Sequence, residues 1–125
     1  MKVIIAGSRS ITDYALVEQA ILESPFYVEE VVSGCARGVD QFGEQWALKT
    51  GMPITRFPAN WSLGRKAGMI RNREMADYAD ALIAVWDGKS HGTRHMIAYI
   101  RKAVCKPDFV WPSEAQVAAK EIGYV

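Results

Sequence analysis

Cysteine is scarce in this chain: Cys35 and Cys105 lie far apart, outside any CxxC pair or Cys/His cluster. That spacing predicts neither a disulfide framework nor a zinc site, and it suits a reducing, cytoplasmic compartment. An excess of charge of one sign is also missing. Lys and Arg number 15 against 14 Asp and Glu, for a formal net charge of +1. The basic surplus of a nucleic-acid or membrane-surface binder is therefore absent, and nucleic acid is not an expected partner. No apolar run approaches membrane-spanning length, and "MKVIIAGSRS" has only four apolar residues between Lys2 and Gly7, too few for a signal-peptide core. Histidine is limited to His91 and His95, and no Ser/His/Asp set is legible. His95 falls away from the apolar stripe of its helix and is expected to face solvent or a partner subunit. Linkers, repeats and low-complexity tracts are lacking too, so 1–125 reads as one domain, half apolar and long enough for its own core.

What is present is an alternation. The short apolar runs "VIIA" (3–6), "VVS" (31–33), "ITRF" (54–57), "ALIAVW" (81–86) and, more weakly, "DFVW" (108–111) have the branched and aromatic character of strands buried on both faces. Between them, Thr12 and Asp13 can cap a helix to about Glu23, and Val39, Phe42, Gly43, Trp46 and Thr50 share one side of a second. A third helix is expected from about Arg65 to Ala79, and Thr93, Met96, Ile97, Ile100 and Val104 share one side of a fourth. Ser113 with Gln116 is a capping-box start for a last short helix that Gly123 can end. The pattern predicts an α/β, Rossmann-like, doubly wound parallel sheet of about five strands. Order 3-2-1-4-5 is preferred to 2-1-3-4-5, because it sets the Gly7 and Gly92 loops side by side with the Gly34 loop next to them.

Ligands of such sheets bind outside the carboxyl ends of the strands, where strand order reverses. The loops expected there read "GSRS", "GCARGVD" and "DGKSHGT". Their glycines let backbone N–H groups approach an anion, and the helices that follow add the partial positive charge of their starts. Arg9, Arg37, Arg65, Arg71, Arg73 and Arg94 fall in or beside these loops, and their planar forks suit phosphate or carboxylate. The expected contacts are Gly7, Ser8, Arg9, Ser33, Gly34, Ala36, Arg37, Gly38, Asp40, Arg65, Asn72, Asp87, Gly88, Ser90, Gly92 and Thr93. Their expected partner is a phosphate-bearing, nucleotide-type small molecule, with no metal and no separate cofactor. The competing reading is tight turns with solvated arginines. Neither G-x-x-x-x-G-K-[ST] nor G-x-G-x-x-G occurs, so a P-loop nucleotidase and the dinucleotide fingerprint are both excluded.

Individual residues carry open alternatives. Asn72 falls in the middle of a small, apolar helix face that also holds Arg65, Gly68, Met69, Met75, Ala76 and Ala79. A buried amide there must find partners, either by tying down a loop or by reaching ligand. Asp40 either stabilises the start of its helix or holds a ribose hydroxyl or Arg37. Trp61 is the tryptophan placed to stack on a base, whereas Trp46 belongs to a core stripe and Trp86 ends a strand.

Taken together, "GSRS", "SGCARGVD", "NW", "GRKAGMIRNREM" and "ADALIAVWDGKSHGT" resemble the SLOG superfamily, and within it the small single-domain branch related to the YpsA and YspA proteins. The resemblance runs from Val3 to about Pro107. It implies a Rossmann-like fold that binds nucleotides or nucleotide-derived molecules, with relatives that act as ligand sensors, as the DNA-processing protein of natural transformation and as cytokinin-activating phosphoribohydrolases. Relatives commonly dimerise, which implies a homodimer or higher homo-oligomer. The phosphoribohydrolases carry an R-K-x-x-M helix and then a P-G-G-x-G-T-x-x-E loop and helix, with an arginine and a glutamate assigned to cleavage of the N-glycosidic bond. Here the matching stretch is Arg71, Asn72 and Met75, then Gly88, Gly92 and Thr93, with His95 and Met96 where acids are expected. The resemblance thus supplies Arg71 as a catalytic candidate, omits the glutamate, and leaves Asp40 or Asp87 to replace it. Nucleotide binding, as a sensor or a nucleotide-processing protein, is the leading expectation; N-glycosidic hydrolysis of a nucleoside monophosphate is the alternative.

Overall fold

Strand β1 (Lys2–Gly7) runs through the middle of the sheet, and its Val3, Ile4, Ile5 and Ala6 are all buried because both faces are covered. The structure, a computed structural model, describes residues 1–105 and 117–121. β2 (Glu30–Ser33) and β4 (Ala81–Trp86) flank β1 in parallel, and β3 (Ile54–Arg56) pairs beyond β2. The order 3-2-1-4 is the one the loop argument prefers. Val3 pairs with both Val31 and Ala81, and the register carries Gly7 level with Val85.

Val117–Glu121 forms β5, parallel to β4, with Leu82 opposite Val117 and Trp86 opposite Glu121. This corrects the helix expected to start at Ser113. The outer edge of β4 presents unpaired backbone donors and acceptors, and satisfying them outweighs a local capping signal. The "DFVW" run at 108–111 lies outside the described residues.

Helices α1 (Tyr14–Glu23) and α2 (Val39–Thr50) cover one face, burying Val17, Ala20, Ile21, Val39 and Ala47 against Val3, Ile5, Val31, Ile83 and Val85. Helices α3 (Ala67–Tyr78) and α4 (His91–Cys105) cover the other, where Met75, Ala76, Met96, Ile97 and Ile100 meet Ile4, Val32, Leu82 and Ala84. Asp13 caps α1 by accepting from the Ala15 amide at 3.0 Å. Gly43 lets α2 lie directly on β1, since a β-carbon there would come within 2.8 Å of Ile5.

The third helix departs from expectation. A 3-10 turn over Trp61–Lys66 precedes it, broken at Gly64 (φ 78°), and the α-helix itself starts at Ala67. Arg65 is therefore not on the packed side but exposed on the turn. The buried side of α3 passes through Ala67, Asn72, Met75 and Ala76, which leaves Met69 44% exposed where the spacing predicted burial.

Candidate functional site

Where β1 and β4 end, their loops and the starts of α2 and α4 surround a cavity of about 400 Å3 at the reversal of strand order. Gly7, Arg9, Ala36, Asp40, Asn72, Asp87, Ser90, Gly92 and Thr93 line it, as does Arg71. The sequence reading missed Ser10 and His91 on its wall and Ala6, Met75 and Met96 on its apolar floor. Ser10 was visible only as part of "GSRS", and the methionines carry no signal beyond their core stripes. Gly34 and Arg37 open onto a second cavity next to the first.

Two consecutive residues of α3 fasten the loops. The Arg71 Nη1 donates to the Gly34 carbonyl at the end of β2, and its Nε donates to the Asn72 Oδ1 at 3.0 Å. The Asn72 Nδ2 in turn donates to the Gly92 carbonyl at 3.2 Å and lies 3.3 Å from the His95 Nδ1. Asn72 is 6% exposed, so its amide is satisfied inside the protein and joins α3 to the start of α4. His95 faces Asn72 and stacks on Tyr99, half-buried, rather than facing solvent as the helical wheel predicted. Burial, with Arg73 nearby, pulls its pKa below the ordinary value.

Other expected residues support the loops from beneath. Ser8 is fully buried, and its Oγ accepts from the Asp87 amide at 2.8 Å. Ser33, also fully buried, donates to the Glu44 Oε2 at 2.7 Å and accepts from the Cys35 amide at 3.1 Å. Gly88 (φ 81°) shapes the β4 turn. Arg65 lines neither cavity, for the reason given above.

The two acids on the wall behave oppositely. Asp40 is 4% exposed, and desolvation pushes its pKa up to about 6. The Ala36 amide, which donates to its Oδ2 at 3.2 Å, opposes that rise, followed by Arg71, the Gly7 amide and Arg9. Asp87 is held far below the usual carboxylate range, first by the Lys89 amide. Its Oδ1 accepts from the Lys89 and Ser90 amides at 2.8 and 2.9 Å and from the Ser90 Oγ at 3.2 Å, and its Oδ2 accepts from the Ser10 Oγ at 2.9 Å. Its carboxylate thus ties its own turn to Ser10 of the β1 loop.

The arginines divide too. Arg9 and Arg71 reach the cavity. Arg73 lies over the Tyr99 ring and Arg94 over the Trp86 ring, 5.9 and 5.6 Å from the centroids, and neither borders either cavity.

The glycines also serve different ends. A β-carbon on Gly7 would lie 2.0 Å from the Val85 carbonyl oxygen, and one on Gly34 would lie 2.8 Å from the Asp40 Oδ2 and 3.0 Å from the Arg71 Nη1. Gly38 (φ 76°) would place one 2.6 Å from the Ser8 carbonyl oxygen. Gly7 and Gly38 are required by the close approach of backbone to backbone, whereas Gly34 meets the ends of two side chains. Gly92 lines the cavity, yet a β-carbon there would meet no atom within 4 Å. Packing does not explain it.

The raised Asp40 pKa means that the folded protein holds this proton more tightly than the unfolded chain does. Stability is then lost as pH rises from about 4 to about 6, by up to about 3 kcal/mol. Asp40→Asn cannot titrate. Urea midpoints across that window should show the stability of the wild type, relative to the variant, falling with pH and then levelling off. A relative stability that rises instead would mean that the fold prefers the carboxylate.

The family profile described as "YspA, cpYpsA-related SLOG family" (YAcAr) matches residues 1–64, which hold the first two glycine loops. The "Gene 61 protein" of Mycobacterium phage D29 is 37% identical over 113 residues, an alignment covering 82% of this chain and 90% of that relative. No solved structure gives a significant match. On the profile match, the chain belongs to the YspA, cpYpsA-related SLOG family.

Proposed function

We propose that this protein binds a nucleotide or nucleotide-derived small molecule, as a sensor or a nucleotide-processing protein of the cytoplasm, with the phosphate seated in the 400 Å3 cavity. The observation that carries the reading is the pair of guanidinium groups on that cavity's wall. Arg9 and Arg71 both border it, facing Asp40 and Asp87, and Asp87 already accepts from Ser10, Lys89 and Ser90. The planar forks of the two arginines suit a phosphate. The start of α4 adds amides: His91, Gly92 and Thr93 all border the space. Membership of a SLOG family is consistent with a nucleotide-related role.

Gly92 supplies the sharpest test. Its missing side chain is not needed by the protein, which makes it the glycine whose replacement separates binding from folding. Wild-type protein with purine nucleoside mono- or diphosphate at about ten times Kd should gain about 1.4 kcal/mol, a melting shift on the order of 4 °C. Gly92→Leu should melt at or above the wild-type temperature and lose that shift. Absence of a shift with every nucleotide at millimolar concentration would remove the reading, and a full shift in Gly92→Leu would place the ligand elsewhere.

A second reading is favoured by one observation: Asp40, a buried carboxyl with a raised pKa, borders the same cavity as Arg71. Such a group is suited to protonate a departing base or, ionised, to face an oxocarbenium-like centre, in place of the glutamate that the phosphoribohydrolases carry. The hydrolase reading expects free base in the same nucleoside monophosphate mixtures, lost in Asp40→Asn. Intact nucleotide after prolonged incubation with the wild type contradicts it.

A further inference from the structure

Trp61 is not accounted for by the core. Its side chain is among the large apolar groups left exposed, at 59%, on the short turn between β3 and α3. The turn nevertheless holds it in place. The Asn60 Oδ1 accepts from the Ser62 amide at 3.2 Å and from the Ser62 Oγ at 2.5 Å, and the Leu63 amide donates to the Asn60 carbonyl at 3.0 Å. The Arg9 guanidinium lies 5.9 Å from the indole centroid. A β-carbon on Gly68 would sit 3.8 Å from both the Trp61 Cη2 and the Arg71 Nη2, so ring and guanidinium flank one point.

That arrangement borders the second cavity, about 390 Å3, whose wall includes Arg37, Pro58 and Trp61. Arg9, Ala36 and Arg71 line both cavities, which therefore meet along a ridge made by these three residues. The two sides differ in chemistry. The first has the amides of the α4 start, whereas the second has an exposed indole with the Arg9 guanidinium over its ring. A planar, polarisable ring is the chemical group that such a face recognises, and base stacking on an aromatic side chain is tolerant of which base it is.

We propose that the second cavity is a nucleobase subsite, in which the base stacks on Trp61 while the sugar crosses the Arg9–Ala36–Arg71 ridge and the phosphate occupies the first cavity. The inference rests on the phosphate reading above and assigns the ligand's other half. The ligand class is a nucleotide whose base contributes affinity, rather than a sugar phosphate or a free phosphate. Trp61 is exposed, so its replacement leaves the core intact.

Calorimetric titration of wild type, Trp61→Ala and Trp61→Phe with inorganic pyrophosphate, ribose 5-phosphate and adenosine 5′-monophosphate tests it. Wild type should bind the nucleotide more tightly than ribose 5-phosphate by about fivefold to a hundredfold. Trp61→Ala should bring the nucleotide down to the sugar phosphate's level and leave pyrophosphate and ribose 5-phosphate unchanged, while Trp61→Phe should keep most of the difference. Undiminished nucleotide affinity in Trp61→Ala, with the phosphate probes still bound, overturns the subsite alone. Equal losses for all three probes also overturn it, since Trp61 would then act by placing Arg9. If no phosphate probe binds the wild type, the phosphate reading itself fails. Sedimentation of the same proteins provides a further outcome: a wild-type dimer that Trp61→Ala dissociates, with nucleotide affinity unaltered, would assign the indole to an interface and overturn the proposal.

Discussion

The site depends on one pair of neighbours in α3. Arg71 holds the end of β2 through the Gly34 carbonyl, Asn72 holds the start of α4 through the Gly92 carbonyl, and the two side chains bond to each other. A single rigid helix thereby sets the spacing of two loops that belong to different halves of the fold. Asn72 is buried and Arg71 half-buried, and a buried amide is tolerable only with its partners in place. Burial lowers the Arg71 pKa while the nearby Asp40 charge raises it, so neither group's state is independent of the other.

This constraint explains the glycines better than ligand approach does. At the reversal of strand order, β1, β4 and the start of α2 come so close that Gly7 and Gly38 have no room for a side chain. The cavity lies just outside these strand ends, and Cys35, in the left-handed region (φ 64°), lines the second cavity beside it. What fills a fold's switch point in other proteins is ligand, and the polar groups that line the space here include two arginines and two acids.

Much of this was legible in residue order. The alternation of "VIIA", "VVS" and "ALIAVW" with helical spacing is strong, and buried parallel strands leave few alternatives, so the order 3-2-1-4 followed from where the glycines fall. Asn72 was legible as a buried amide because its neighbours at helical spacing are small or apolar. Arg65 was misplaced because periodicity ignores a backbone break, and Gly64 at positive φ inserts one just before the helix. His95 was misjudged for a related reason: a helical wheel knows the direction of a side chain but not which neighbour waits there, and α3 supplies Asn72. The strand at Val117–Glu121 was hidden because an edge strand is decided by the partner it completes, and its own residues read equally well as helix. The opposite fates of Asp40 and Asp87 were invisible for the same reason, since burial and donor count belong to the assembled loops.

The most direct measurement of this account is amide hydrogen exchange, residue by residue, in wild type and Asn72→Leu. Leucine keeps an apolar side chain on the buried face but removes the bonds to Gly92, to His95 and to Arg71. The account expects faster exchange together in residues 34–38 and in residues 90–94, with the central amides of β1 and β4 as protected as before. Unchanged exchange in both loops would contradict the claim that the Arg71–Asn72 pair sets the site.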